Sequence, residues 1–452
     1  MSRFTLCGTV IHAPVCGEIE ILENVLIVVS DTGVISSALE QGCERYIVAK
    51  QAAIDAGSFI ELEEGQYLLP GMVDLHVHAP QWPQAGNALH LPLYDWLQKN
   101  TFPLEAKYAD LDFAKQVYNS LVDVLLANGT TTALYFATIH LEATKLLADI
   151  CLAKGQRALV GKVAMDNIDE CPDYYRDASV QSGLDDTRAL IEYIRSMSGN
   201  ELETVLPVVT PRFIPSCTDE MLTGLGEIVQ EYDCHVQTHC SESDWEHAYV
   251  LNRHGTRDTD SLDKFKLLTS KTVLAHSCFI NEQDMAIIKE RKSGVAHCPL
   301  SNAYFADAVF PARKALDLEL DVGLGTDISA GATPSLLQNC SMAVTASRYL
   351  EGGVDSSVKQ SDRGVANSRI NYKEAFWMAT TGGGRALGLN IGLIKKGYAF
   401  DAIVIDTSVR DSNLMIWGEL DNVEDILQKI IYNSDRKNIL SVWVQGRLVK
   451  GG

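Results

Sequence analysis

The sequence predicts an α/β fold: a (β/α)8 TIM barrel with a small β-sandwich formed by the N- and C-terminal segments. Three features of the chain carry that prediction. Eight short apolar runs alternate with helical patterns through the middle of the chain, the pattern of a parallel sheet covered by helices. Short apolar runs separated by turn residues occupy both ends, and neither end has enough core to stand alone, so the two are expected to pack together. Metal-competent side chains recur at the C-terminal ends of the predicted strands, where barrel enzymes build their sites. The expected boundaries are 1–69 with 390–452 for the β unit and 70–389 for the barrel.

Near the N-terminus, Gly8-Thr9-Val10-Ile11-His12 and Val25 to Val29 before Asp31-Thr32-Gly33 read as strands closed by turns. The first barrel strand follows the Pro70-Gly71 turn and ends in His76 and His78. Further strands are expected at Thr130 to Ala137, Ala158 to Met165, Val205 to Arg212, His235 to His239, Thr272 to His276, Gly294 to Cys298 and Asp321 to Asp327. Helical periodicity falls between several of them: Phe113 to Asn128, Leu141 to Lys154, Asp185 to Ser196, Asp219 to Tyr232 and Gln283 to Arg291. Asp401 to Asp406 and Ser441 to Gly446 return to strand.

Composition narrows the function. The chain has 452 residues, 46% apolar and 21% charged, which suits a barrel plus a small companion unit. Its net charge of -21 repels phosphate backbones and anionic bilayers, so nucleic acid and membrane are poor partners and a neutral or cationic small molecule is a better one. Eleven cysteines with no C-x-x-C exclude a disulfide framework and a cysteine zinc site. No run reaches the length of a membrane span, and the N-terminus lacks a long apolar stretch, so the expected location is cytoplasmic.

Histidines two apart on a strand share a face, and His76 and His78 can therefore grip one ion. Taken alone, such a pair reads equally well as ordinary core or surface histidines. The reading changes because His239, His276 and Asp327 end three other predicted strands at the same end of the barrel. Zinc accepts imidazole and carboxylate donors, so His76, His78, His239 and Asp327 form a candidate ligand set. A cation held by three neutral imidazoles and one carboxylate lowers the pKa of a bound water. Glu242, three residues past His239, is placed to carry a proton between water and substrate, although a lone loop glutamate is usually only solvated. His276 is suited to hold the nucleophile or the developing charge, and Asp327 to accept a proton as well as to ligate. His297 is expected to orient neighbours. His12, His90, His140, His235, His247 and His254 read as core or surface residues.

At this point the chain resembles a known group. PGMVDLHVHAP, QTHCSE, VLAHS, HCPLSN and GLGTD are similar, in order, to the strand motifs of the amidohydrolase superfamily across about residues 70–330. Within it, HVHAPQWPQAG, LPLYDWLQKNTFPLE, YFATIH, GKVAMD, VTPRF and GLGTDISAG resemble the guanine deaminases. The resemblance implies hydrolytic deamination of guanine to xanthine and ammonia, one zinc per subunit on His76, His78, His239 and Asp327, and a homodimer. It implies Glu242 as the proton shuttle, which joins His276 and Asp327 as the candidate catalytic residues. It implies substrate contacts from the backbone around His78, Ala79, Pro80 and Gln81, from the side chains of Gln81, Arg212 and Phe213, and from His239, Glu242 and Asp327. Arg212 offers a donor fork for a purine carbonyl and Gln81 a mixed donor and acceptor, with Phe213 and Trp82 as apolar walls. The alternative for Arg212 is a structural ion pair at the barrel mouth.

Two absences are consistent with this resemblance. The fourth strand end, Val208 to Phe213, has no lysine to bridge two metals, and no P-C-x-x-C of the other zinc deaminase architecture occurs. One departure stands out: the loop Ile328 to Thr333 lacks the glycine pair and aromatics expected there. Action on another heterocycle (a triazine, a pterin, an adenosine-like compound) and a non-catalytic scaffold remain as alternatives.

Overall fold

In the computed structural model, which describes residues 2–451, eight parallel strands stand in chain order around a barrel. They are β1 (Met72–His78), β2 (Thr130–Phe136), β3 (Arg157–Gly161), β4 (Val205–Pro211), β5 (His235–Cys240), β6 (Thr272–His276), β7 (Gly294–His297) and β8 (Asp321–Leu324). Every residue of β1 and β2 is buried, as a strand covered on both faces requires. The polar residues embedded in β1, Asp74, His76 and His78, are buried with the rest. A buried polar group needs a partner, so these three mark the interior where polar chemistry is concentrated.

The eighth strand differs from expectation. β8 ends at Leu324, three residues short of Asp327. Barrel closure passes to the chain beyond it: Asp327 N–H donates to His76 O (2.8 Å), His78 N–H donates to Ile328 O (2.8 Å), and Val77 bridges Ile328 in parallel. The third strand differs too. Its ladder to β4 breaks at Lys162, which is buried and ion-paired with Asp177, and resumes in the same register at Val163–Ala164.

Helices begin where polar side chains satisfy their free amides. Asp110 caps Leu111–Ala127, and Asn281 with Asp284 boxes the start of Glu282–Arg291. The helix expected from Asp185 starts at Val180, because Ser179 and Ser182 form a reciprocal cap there. Asp244–His254 escaped notice because it buries only Glu246 and Val250, too little to draw an apolar stripe.

The terminal segments meet as expected, but in one continuous eight-stranded sheet. Its order is Arg447–Lys450, Ile439–Val444, Ala402–Asp406, Gln66–Pro70, Ser2–His12, Glu20–Ser30 and Ile35–Leu39, with Phe59–Glu61 beside Ser2–His12. The sheet curls back on itself: Ile35 N–H donates to Tyr398 O (2.9 Å) and Phe400 N–H to Gly33 O (2.8 Å). Phe4, Phe400 and Trp443 fill the fold of that sheet, with ring centroids 5.3 and 5.9 Å apart. Each such ring contributes roughly 1.5–3 kcal/mol by leaving water. Gln66–Pro70 runs directly into β1, and Arg157 at the barrel base pairs with buried Asp401 (2.9 Å). The sheet thus fixes the strand that carries the first two histidines.

Candidate active site

The predicted donors converge at the C-terminal mouth of the barrel. His76 and His78 come from β1, His239 from β5, and His276 closes β6. Ser241, His276, Ser277 and Asp327 all hold left-handed backbone, with φ of 48, 68, 53 and 49°. Such residues cost about 1–3 kcal/mol each and gather at functional sites.

Donor atoms approach one another without bonding in the ordinary way. His78 Nε2 lies 3.0 Å from His239 Nε2, His76 Nε2 3.2 Å from Asp327 Oδ1, and His78 Nε2 3.6 Å from the same oxygen. Donors held at roughly 2.0–2.2 Å around one ion, 90–110° apart, lie about 2.8–3.6 Å from each other. His76 Nε2, His276 Nε2 and Asp327 Oδ1 are buried and have no hydrogen-bond partner. His239 Nδ1–H donates to Arg212 O (2.6 Å), which leaves its Nε2 lone pair facing the cluster. Burial, then the neighbouring histidines and Arg212, hold the pKa values of His76, His78 and His239 well below the usual value, so the rings are neutral and ready to ligate. The residues present fit a divalent cation.

Glu242 completes the inner wall. Its carboxyl is buried, 3.7 Å from His276 Nε2, and burial followed by the charge of Asp327 pushes its pKa well up. Its backbone N–H donates to Glu246 Oε2 (2.7 Å), which fixes the turn after β5. His276 Nδ1 contacts Asn302 Oδ1 (2.9 Å), and its Nε2 faces Glu242 Oε1 and Asp327 Oδ2, each at 3.7 Å. Those separations are too long for direct bonds, and one water beside the three atoms would lie within bonding distance of all of them.

A narrow cavity opens beside these groups. His78, Gln81, Arg212, Phe213, His239, Glu242 and Asp327 line it, together with Leu93, Trp96, Leu97 and Ala330. Ala79 and Pro80 do not reach the wall, and the Pro80 carbonyl accepts the Tyr108 hydroxyl (2.7 Å). Trp82 is corrected from wall to support: its indole N–H donates to Ser120 (3.0 Å) on the helix Leu111–Ala127. Gln81 and Trp82 are adjacent in the 3-10 turn Ala79–Gln84, where neighbours point about 120° apart. His297 is buried behind the site, and its carbonyl accepts Gly325 N–H (2.9 Å). The six remaining histidines lie outside the cluster.

The amidohydrolase family model matches residues 67–449. The chain is 37% identical over 449 residues to the human guanine deaminase, covering 98% of this chain and 95% of that one. It is 36% identical over 463 residues to the Dictyostelium discoideum guanine deaminase, covering 98% and 97%. The chain belongs to the guanine deaminase family of amidohydrolases. A crystal structure of guanine deaminase from C. acetobutylicum with guanine bound in its active site superposes on this amidohydrolase with a TM-score of 0.87 at 33% identity, covering 99% of this chain and all of that one.

Sequence reasoning missed several parts of this amidohydrolase site. Trp96, Leu93 and Leu97 wall the cavity from a run of short irregular helices that has no clean period. Glu105 bridges Arg212 and Gln81: Arg212 Nη1–H donates to its Oε2 (2.7 Å) and Gln81 Nε2–H to its Oε1 (2.9 Å). The ion-pair alternative for Arg212 is therefore present in the structure. Asp74 was passed over, although an aspartate inside the apolar run Met72 to Leu75 was a readable signal. It accepts Thr326 N–H (2.9 Å), Thr326 Oγ1–H (2.6 Å) and His76 N–H (3.2 Å), and burial raises its pKa to about 7. It thereby locks the segment bearing Asp327 onto β1.

Gly325 supplies the close approach this lock needs. A Cβ there would lie 2.7 Å from His76 Cβ and 2.8 Å from Cys298 Sγ. Gly325→Ala is expected to push β1 aside, costing about 1–3 kcal/mol of stability and reducing bound metal. Thermal unfolding with metal analysis checks it; an unchanged midpoint with full metal content would show that the site tolerates the methyl group.

Proposed function

We infer that this chain hydrolyses guanine to xanthine and ammonia with one zinc ion held by His76, His78, His239 and Asp327. The observation that carries the reading is the meeting of neutral imidazoles, Asp327 and Glu242 at a cavity that Gln81 and Arg212 also line. When bound, such an ion supplies a water of lowered pKa.

The chain's own groups do the rest. Arg212 and Gln81 hold the purine edge by its polar atoms, and Phe213 packs against the ring. Trp96 and Leu97 keep bulk water from the reacting carbon. Glu242 takes the proton of the attacking water on its carboxylate and passes it to the ring nitrogen beside the amine-bearing carbon. His276 Nε2 and Asp327 Oδ2 orient that water. The proton of the hydroxyl now on that carbon passes to the exocyclic amine, the C–N bond breaks, ammonia leaves, and the oxygen remains as the new carbonyl of xanthine.

In this reading residues 70–389 form the catalytic unit and residues 1–69 with 390–452 the flanking unit. The enzyme is proposed to work in the cytoplasm as a homodimer. All eleven cysteines are free, which suits a reducing compartment.

Guanine supplied to metal-replete enzyme is expected to give xanthine and ammonia in equal amounts, followed by ultraviolet absorbance and an ammonia assay. Adenine lacks the carbonyl and leaves Arg212 N–H groups unmatched. It is expected to be disfavoured by about 10⁴-fold in kcat/KM, the discrimination typical of a lost buried hydrogen bond. No ammonia from guanine, or equal turnover of both purines, would sink the assignment.

A further inference from the structure

Glu105 belongs neither to the metal-competent cluster nor to the residues lining the cavity, yet it holds the two polar groups assigned to the substrate edge. It is fully buried at the end of the short helix Phe102–Glu105. Its Oε2 accepts Arg212 Nη1–H (2.7 Å), and its Oε1 accepts Arg212 Nη2–H (3.2 Å) and Gln81 Nε2–H (2.9 Å). Gln81 arrives from the turn after β1 and Arg212 from just past β4, so three separate parts of the chain meet at one carboxylate.

That contact fixes a polarity. A carboxylate that already receives two guanidinium N–H groups meets Gln81 as an acceptor, so the amide nitrogen must face it. Gln81 Oε1 is thereby committed to the other side. It is buried without a protein partner, on a side chain that lines the cavity. Arg212 has five N–H groups and spends two on Glu105, leaving three. The cavity wall therefore presents an acceptor beside donors. Guanine carries the complement beside its amine-bearing carbon, where N1–H adjoins O6.

We propose that Glu105 is the specificity-determining positioning residue of this site: by anchoring the Gln81 amide nitrogen and the Arg212 fork together, it selects a purine edge that pairs an N–H with an acceptor. The proposal rests on the assignment of Gln81 and Arg212 to the substrate and deepens it. With glutamine at 105, either amide atom can face Gln81, which becomes free to turn over, and Arg212 loses its anionic partner.

The test uses the metal-replete enzyme with guanine and with 2-aminopurine, which keeps the amine on the same carbon but lacks O6 and N1–H. Glu105→Gln is expected to raise the guanine KM by about 10-fold or more, with kcat less affected than KM, as loss of uniform binding requires. It should lower the guanine to 2-aminopurine ratio of kcat/KM by about 10-fold or more, because the matched hydrogen bonds that reject the poorer analogue are no longer enforced. Metal content should stay the same. An unchanged ratio and KM would overturn the proposal. Should Glu105→Gln not accumulate as folded protein, Glu105→Asp decides the matter: it keeps the buried charge beside Arg212 but draws the carboxylate back from Gln81. A raised KM with a lowered ratio supports the proposal, and unaltered values overturn it. Gln81→Ala and Arg212→Lys separate the two levels of inference. If neither moves the guanine KM, the substrate-contact assignment fails; if they move it and the Glu105 variants do not, only the role of Glu105 fails.

Discussion

Replacing Asp327 with alanine is expected to empty the metal site and reduce turnover by at least about 10³-fold, since a structural or catalytic ion needs its full donor set. Asp327 is the only anionic donor in the proposed set, beside three imidazoles that burial holds neutral. Without it, no protein charge in that set offsets the ion. The carboxylate also sits on strained backbone, with φ of 49°, and is presented by a segment tied to β1 through Asp74 and Thr326. His239→Ala is expected to behave alike, because its Nε2 lone pair is aimed into the cluster by the Nδ1–H bond to Arg212 O. Elemental analysis of the purified variants, run beside a guanine assay, reads both effects. Full metal content with normal turnover in either variant would remove that residue from the ligand set. Chelation should act in the same direction: an ion bound only by the folded state, present at about 100 times its dissociation constant, adds about 2.7 kcal/mol of stability, so the unfolding temperature should fall on its removal.

Glu242→Gln is expected to retain metal and lose about 10²–10⁴-fold in turnover, the usual worth of a positioned proton carrier. Glutamine matches glutamate in size and can keep hydrogen bonds, but it cannot take up the proton that the attacking water must lose. The site favours such a role. The carboxyl is buried, and burial with the nearby charge of Asp327 pushes its pKa well up, so it holds a proton more readily than an exposed glutamate. It lies 3.7 Å from His276 Nε2, so a single water beside the pair would bond to both. The Ser241 and Glu246 contacts around it belong to the backbone and should survive the change. Near-normal turnover in this variant would discard the shuttle role, and loss of metal would recast Glu242 as a ligand.

The donors were legible for a simple reason. A strand covered on both faces is almost wholly apolar, so a histidine or aspartate at its end stands out, and the two-residue period of β1 puts His76 and His78 on one side. Asp327 was readable as a residue although not as a strand end. The departure of the chain beyond Leu324 depends on pairing with β1, some 250 residues earlier, which no local pattern records. Glu105 shows the limit more sharply. It lies 24 residues from Gln81 and 107 from Arg212, in short irregular helices, and looks like any loop glutamate until the barrel closes. Trp82 was a misleading candidate for a related reason: it is an aromatic residue near the mouth, but the 3-10 turn Ala79–Gln84 sends it to Ser120, while Trp96, from the separate helix Leu93–Trp96, walls the cavity.

The amino-acid order alone settled the architecture and the identities of the metal-competent groups, because burial of whole strands and the alternation of side chains along them are local properties written every few residues. Which polar group faces which, and with which end, was decided only in three dimensions. Hydrogen bonds are directional and short, so the acceptor that Gln81 turns to the cavity and the lone pair that His239 turns to its neighbours follow from partners delivered by distant strands.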